Sequence, residues 1–381
     1  MKKITIFICF CLFLVGCKNS NKILEELDTK TIHWSLNKDF EIRDIIKDLH
    51  YIVLEETPES IFSGIDKLII KDDRIYLSDS GAKILLVFDI SGKFLHKIGD
   101  QGDGPGEYSG ASGMNFTVGE NGDVFLYDYP RKVVLKFDAN GKYINNQNSS
   151  YSFRDFILLP DDQFLLSLDI YENKNSNRKV LLTPDFKKIK SAYFHYHEDF
   201  RHNYGSNLVT FQQFNDKIAY MRPINDTLYI FNNEGFVEQA WYFDFGSKKM
   251  PEELKNDAEK LFEERQKGNH STYVFRTPIC IRNYIIAEIY DDGRKGIFIY
   301  DTAKNRSTHE IPSPDTFSLY NINMPLCAIS DSVLVSYLDA DTYYYVKDRL
   351  SISQEIDAHL LGGGTILCLY EFSPLGTEVR G

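Results

Sequence analysis

The sequence predicts an all-β protein, a six-bladed β-propeller with one helix inserted at about residues 251–268. Two gap-free copies of a strand-rich unit stand near the start, four looser copies follow, and a strand-like piece at each end is left to share a blade. A unit of this kind buries its faces only against its neighbours, so a ring of them closes when the terminal strands pair.

The two clear copies are "DRIYLSDSGAKILLVFDISGKFLHKIG" from Asp73 and "GDVFLYDYPRKVVLKFDANGKYINNQN" from Gly122. They align at an offset of 49 residues and match at Asp79/Asp128, Phe88/Phe137, Asp89/Asp138, Gly92/Gly141 and Lys93/Lys142. Each holds three short alternating runs divided by turn residues, the pattern of consecutive antiparallel strands. "ISGK" and "ANGK" read as hairpin turns in which Gly supplies a positive φ. A third unit runs through "FRDFILLPDDQFLLSLD", a fourth through "VTFQQFNDKIAYMRPINDTLYIF", a fifth through "PICIRNYIIAEIYDDGRKGIFIY" and a sixth through "PLCAISDSVLVSYLDADTYYYVKD". In the sixth, the tyrosine run reads as a strand with one face on the core. "LHYIVLEE" (49–56) and "TILCLYEF" (365–372) read as the strands that complete the last blade. The helix at 251–268, "PEELKNDAEKLFEERQKG", has Pro and acids first and Gly last. Leu254, Ala258, Leu261 and Phe262 would form its stripe on the propeller rim.

The N-terminus carries the address. "MKKITIFICFCLFLVGC" has two lysines, a short apolar run and a small residue before Cys17, the layout of a signal peptide. Domain limits are therefore a signal peptide at 1–16, a tether at 17–32 and one propeller at 33–381. Of six cysteines, Cys280, Cys327 and Cys368 are far apart in apolar runs and read as buried free thiols, neither a disulfide framework nor a metal cluster. The net charge is −12, and loss of 1–16 with its two lysines makes it more acidic. That excludes nucleic acid as a partner, which needs basic surface.

"LVGC" resembles a bacterial lipobox. The resemblance implies cleavage before Cys17 and lipid attached there, hence an outer-membrane lipoprotein facing the periplasm or the cell surface. "KIGDQGDGPGEYSGASGMNFTVGENGDVFLYDYPRKVVLKFDANGKYI" resembles an NHL-type propeller repeat. Together with "YIVLEETPESIFSGIDKLII", the chain resembles the six-bladed β-propeller lipoproteins of Bacteroidota over about residues 50–147, more weakly afterwards. The resemblance implies a fold and an envelope location and carries no reaction.

Chemistry-bearing motifs are few. "GDQGDGPGEY" (99–108) reads as the connector from one blade to the next, because strands flank it on both sides. A phosphate loop would lead into a helix, and its acids lack calcium-loop spacing. "FHYHEDFRHN" places His195, His197 and His202 close together, and imidazoles on one face of a strand can hold zinc. No G-x-S-x-G elbow or zinc-protease helix motif occurs. Ligands of propellers meet the face of the inter-blade connectors, so Lys83, Asp103, Glu107, Tyr108, Arg131 and Lys132 are the candidate binding residues. The innermost strands read as Phe, Ile and Leu rather than inward His or acids. The expectation is thus a binding or assembly module for a glycan, peptide or envelope protein, with no cofactor. The alternative is a metal-dependent lyase or hydrolase with one divalent cation, Ca or Zn.

Overall fold

The computed structural model describes residues 27–35, 37–110, 114–169, 178–196, 209–255, 257–313, 315–318 and 325–373. Six antiparallel sheets make the blades, each written from the channel outward. Blade 1 is Lys67–Lys71, Arg74–Asp79, Ile84–Asp89 and Phe94–Lys97. Blade 2 is Asn115–Val118, Val124–Asp128, Val133–Phe137 and Tyr143–Asn148. Blade 3 is Phe153–Leu159, Gln163–Leu168, Arg178–Thr183 and Ser191–His195. Blade 4 is Phe211–Phe214, Lys217–Tyr220, Thr227–Asn232 and Val237–Asp244. Blade 5 is Ile279–Ile281, Tyr284–Asp291, Arg294–Asp301 and Arg306–Glu310, with Tyr273–Val274 prolonging its inner edge. Blade 6 takes Cys327–Ala328, Val333–Asp339 and Thr365–Phe372 from the C-terminal end and Ile46–Val53 from the N-terminal end. The pairing of Ile52 with Leu367 and Tyr51 with Cys368 closes the ring, as the end pieces predict.

The core lies between blades. Strand side chains alternate faces, so both faces of every blade are buried and the strands read as apolar runs. In blade 1, Ile75, Leu77, Leu86 and Phe88 pack toward blade 6 with Val335 and Leu367. Tyr76, Leu85 and Val87 pack toward blade 2 with Phe116, Leu126 and Leu135. The same division recurs between blades 2 and 3, 3 and 4, 4 and 5, and 5 and 6, giving one apolar cluster at each of the six interfaces.

The repeated Asp-x-x-Gly turns have a shared mechanism. Asp89 Oδ1 accepts from Ser91 N (2.9 Å) and Lys93 N (3.1 Å), and Asp138 Oδ1 accepts from Asn140 N and Lys142 N (both 2.9 Å). Blade 4 does the same with Asn232 Oδ1 on Glu234 N and Phe236 N. Gly92 follows at φ +89° and touches the blade before it: a Cβ there would sit 2.0 Å from Val53 O. The turn therefore specifies the hairpin and the docking of adjacent blades together.

Three elements depart from the sequence reading. Thr29–His33 is a strand that pairs in parallel with Val237–Asp244 on the outer edge of blade 4, so folded structure crosses the 32/33 boundary. From there the chain passes over blade 5, where Trp34 packs on Phe298 (5.2 Å between ring centres) and Asp39 N donates to Ser307 O. The tyrosine run is a helix, Ala340–Val346, not a strand. Asp339 caps it by accepting from Thr342 N (2.7 Å), and only Tyr343 and Val346, three apart, are buried. The inserted helix is two pieces, Glu252–Lys255 and Ala258–Gln266, with Asp257 capping the second. Leu254 and Leu261 are buried against Ile224, Met250 and Tyr273, whereas Phe262 is 61% exposed. Of the four expected stripe residues, Leu254 and Leu261 join this cluster, Ala258 is half-buried outside it, and Phe262 faces solvent.

Candidate functional site: the central channel

Each innermost strand pairs with a neighbour on one edge only. Its other edge faces the axis of the ring. The channel so enclosed holds a cavity of about 350 Å³. The runs Asp66–Lys71, Phe211–Asn215 and Pro325–Ser330 line it residue after residue, so main chain as well as alternate side chains faces the space. The end at which the inner strands begin is the face of the inter-blade connectors.

On the side of blades 2 and 3 a buried polar network fills the channel. Lys67 Nζ lies 2.8 Å from Asp155 Oδ1 and 3.1 Å from Asn115 Oδ1. Asp155 Oδ2 accepts from Thr210 N (2.6 Å) and Phe211 N (2.8 Å), and Asn115 Nδ2 donates to Arg154 O (2.8 Å). The first turns of four inner strands are thereby tied together. Gln212 Nε2 donates to Leu326 O, and Thr277 Oγ1 to Thr210 O and Met221 O, which extends the ties to blades 5 and 6. Inward-facing charge is therefore present, contrary to the purely apolar inner strands read from the sequence. A single Lys or Asp inside "DKLII" or "FRDFILL" has no local signature; only ring closure brings the two together.

On the opposite side the polar groups are less completely satisfied. Glu288 is buried on the second strand of blade 5 and lines the cavity with Arg276. Lys295 Nζ stands 3.0 Å from Glu288 Oε2, and Arg276 Nε stands 3.7 Å from Glu288 Oε1. Neither Glu288 oxygen makes a hydrogen bond of proper geometry, and Arg276 Nε is buried without one. Arg276 and Lys295 thus share the Glu288 carboxylate, and Asp66 lines the same cavity. Tyr337 is near enough to feel Arg276 and Glu288, and burial pushes its phenol up, so its hydroxyl stays a donor. Leu68, Ile70, Phe211, Ile279 and Leu326 supply apolar wall between these groups.

The residues singled out in the sequence fall elsewhere. Tyr108 is buried, and its hydroxyl donates to Lys83 O (3.0 Å). Glu107 Oε2 accepts from Gly104 N (2.7 Å) inside the 99–108 connector. Arg131 donates to Glu107 O (3.0 Å) and Gly102 O (2.6 Å), and it pairs with Asp103 and with the buried Asp128 (3.3 Å). Lys83 and Lys132 both occupy positive-φ turn positions. Lys83, Asp103, Glu107, Tyr108 and Arg131 are joined by these contacts around the connector, whereas the backbone of Lys132 bonds Tyr129 and Ser149. His195 is exposed on the outer strand of blade 3, far from the axis. Cys17, His197 and His202 lie outside the described residues. Among the described residues, one group brings three metal-ligand atoms within 4.8 Å of one another: Asp48, His50 and Glu371, on the outer edge of blade 6. Glu371 there already pairs with Lys47 at 2.7 Å. No described helix is long and apolar enough to cross a membrane.

Comparison with known proteins places these features. The model of the DUF4934 family, a domain of unknown function, matches residues 29–360. A protein of Bacteroides fragilis described as exported has a solved structure that aligns with a TM-score of 0.72 at 17% identity, covering 91% of this chain and 99% of that one. A DUF4221 family member from Bacteroides vulgatus aligns with a TM-score of 0.52 at 10% identity over 86% of this chain and 97% of that one. Both likenesses are of fold. A search of curated proteins finds no match.

Proposed function

The chain belongs to the DUF4934 family, and for it we propose a binding module of the cell envelope, held to the membrane by lipid on Cys17, that takes its ligand in the central channel. The ligand is a glycan, a peptide or a segment of an envelope protein. The observation that carries this reading is the cavity of about 350 Å³ whose walls combine apolar side chains with the incompletely satisfied Arg276 and Glu288. Buried polar groups without partners are expensive in a folded protein and are kept where a ligand supplies the missing partner. The cavity is in the size range of small-ligand sites. The envelope location is supported by the signal-like N-terminus and by the likeness to a Bacteroides protein described as exported.

The test uses the full mature chain with Cys17→Ser. It is incubated with the small-molecule and oligomer fraction of a cell-envelope extract, freed of unbound material and denatured for mass spectrometry. We expect a defined compound from the wild-type channel and its loss from Ala328→Trp, which fills the cavity from blade 6 while the melting transition is retained. Equal recovery from both proteins, or none from the wild type, overturns the channel reading. Separately, Cys17→Ser should move the protein from the membrane to the soluble fraction.

A further inference from the structure

We infer that the channel ligand is a short peptide held by its free α-carboxylate, with Arg276 as the anchor. This rests on the channel reading above and adds the chemical class. Arg276 makes no hydrogen bond to any described protein group, its side chain is 35% exposed, and it borders the cavity. Its ion-pair partner Glu288, at 3.7 Å, is shared with Lys295, which stands closer at 3.0 Å. A guanidinium so placed is a planar fork with spare donors, matched to a bidentate carboxylate. A neutral glycan would leave the guanidinium donors without a charged acceptor in hydrogen-bond contact.

The rest of the cavity suits a peptide main chain. The open edges of the inner strands of blades 1, 4 and 6 present the N–H and C=O groups of alternate residues. An extended peptide satisfies such an edge with its own backbone and places alternate side chains against the wall. Ile70, Phe211 and Leu326 offer apolar surface for them. Asp66, at the same mouth on blade 1, is tied by Ser80 N to one carboxylate oxygen, and its other oxygen can take a ligand N–H. The buried network of Lys67 and Asp155 closes the blade 2–3 side, which limits the occupant to a few residues.

The experiment offers the mature chain two matched libraries of N-acetyl tripeptides, one of free acids and one of C-terminal amides, and reads the retained fraction by mass spectrometry. We expect retention of free acids over amides by about tenfold or more, the scale of one charge-assisted pair of hydrogen bonds. Arg276→Gln should abolish the preference while melting like wild type. Glu288→Gln, which frees Arg276 from its competing carboxylate, should increase free-acid retention. Equal retention of acids and amides, or a preference that survives Arg276→Gln, overturns the inference. If neither library is retained and the extract experiment still yields a compound lost in Ala328→Trp, the peptide assignment fails and channel binding stands. If peptides are retained equally by Ala328→Trp, the channel reading itself fails.

Discussion

Lys67 and Asp155 are 88 residues apart and meet inside the ring, with Nζ 2.8 Å from Oδ1 and both side chains buried. The pair joins blade 1 to blade 3 across the channel, and Asp155 also holds the first amides of blade 4. It is a tie that only the closed propeller can make.

Removing one partner should therefore cost more than removing a surface pair. Asp155→Ala strands a buried ammonium and three backbone donors, Phe156 N, Thr210 N and Phe211 N, and we expect a loss of about 3–5 kcal/mol in urea unfolding. Lys67→Met on its own leaves the carboxylate on Thr210 N and Phe211 N and should cost less. A cost for Asp155→Ala below about 1 kcal/mol, the level of an exposed ion pair, would show that water reaches the pair.

Ring closure gives a second prediction. Gly92→Ala must place a Cβ 2.0 Å from Val53 O, on the strand that the N-terminal segment lends to blade 6. Gly268→Ala has a similar φ of +83° but open space around it. The second substitution carries the conformational cost alone, about 1–2 kcal/mol. The first adds a backbone clash and should exceed about 3 kcal/mol. Thermal unfolding of the two variants side by side separates strain from the clash at the closing interface.

The same turn shows what the sequence could reveal. Asp89-x-x-Gly92 and Asp138-x-x-Gly141 are local: one side chain caps the turn and one glycine supplies the positive φ, so the repeat, its hairpins and the shared last blade were legible. Asn232-x-x-Gly235 follows the same chemistry with Asn for Asp. The channel was not legible, because Lys67 comes from blade 1, Asp155 from blade 3 and the Arg276–Glu288 pair from blade 5, and they face one space only through closure. The helix Ala340–Val346 was missed because tyrosines favour strands, and the Asp339 cap that decides the matter weighs less in a sequence than three aromatics. Tyr344 and Tyr345, 65% and 74% exposed, show that the run has no buried strand face.

Asp79 makes stability depend on acid. Burial pushes its carboxyl up, but donors from Ser63 N (2.5 Å), Ala82 N (3.0 Å) and Ser63 Oγ (2.8 Å) outweigh burial, and the net direction is down. A carboxyl lower in the folded than in the unfolded chain contributes stability that is complete above the ordinary Asp value near 4 and is lost as pH falls through the folded value. Asp79→Asn should therefore be destabilising at pH 7 and nearly silent near pH 2. Unfolding curves of both proteins across that window should converge at the acid end; a constant difference would assign the effect to packing instead.

The three cysteines among the described residues report on the ring as a whole. Cys280, Cys327 and Cys368 are free and buried, and burial pushes each thiol up to about 12. They lie in three different interface clusters, between blades 4 and 5, 6 and 1, and 5 and 6. A thiol reacts as its thiolate, so at pH 8 the folded protein should resist alkylation by iodoacetamide at all three positions. Because each blade is stabilised only by its neighbours, opening one interface weakens the next. The three sites should then become labelled at one common rate that rises with urea as global unfolding does. Markedly faster labelling of Cys327 than of Cys280 would mean that the interface closed by the N-terminal strand opens by itself, and that blade 6 is a separable unit of the ring.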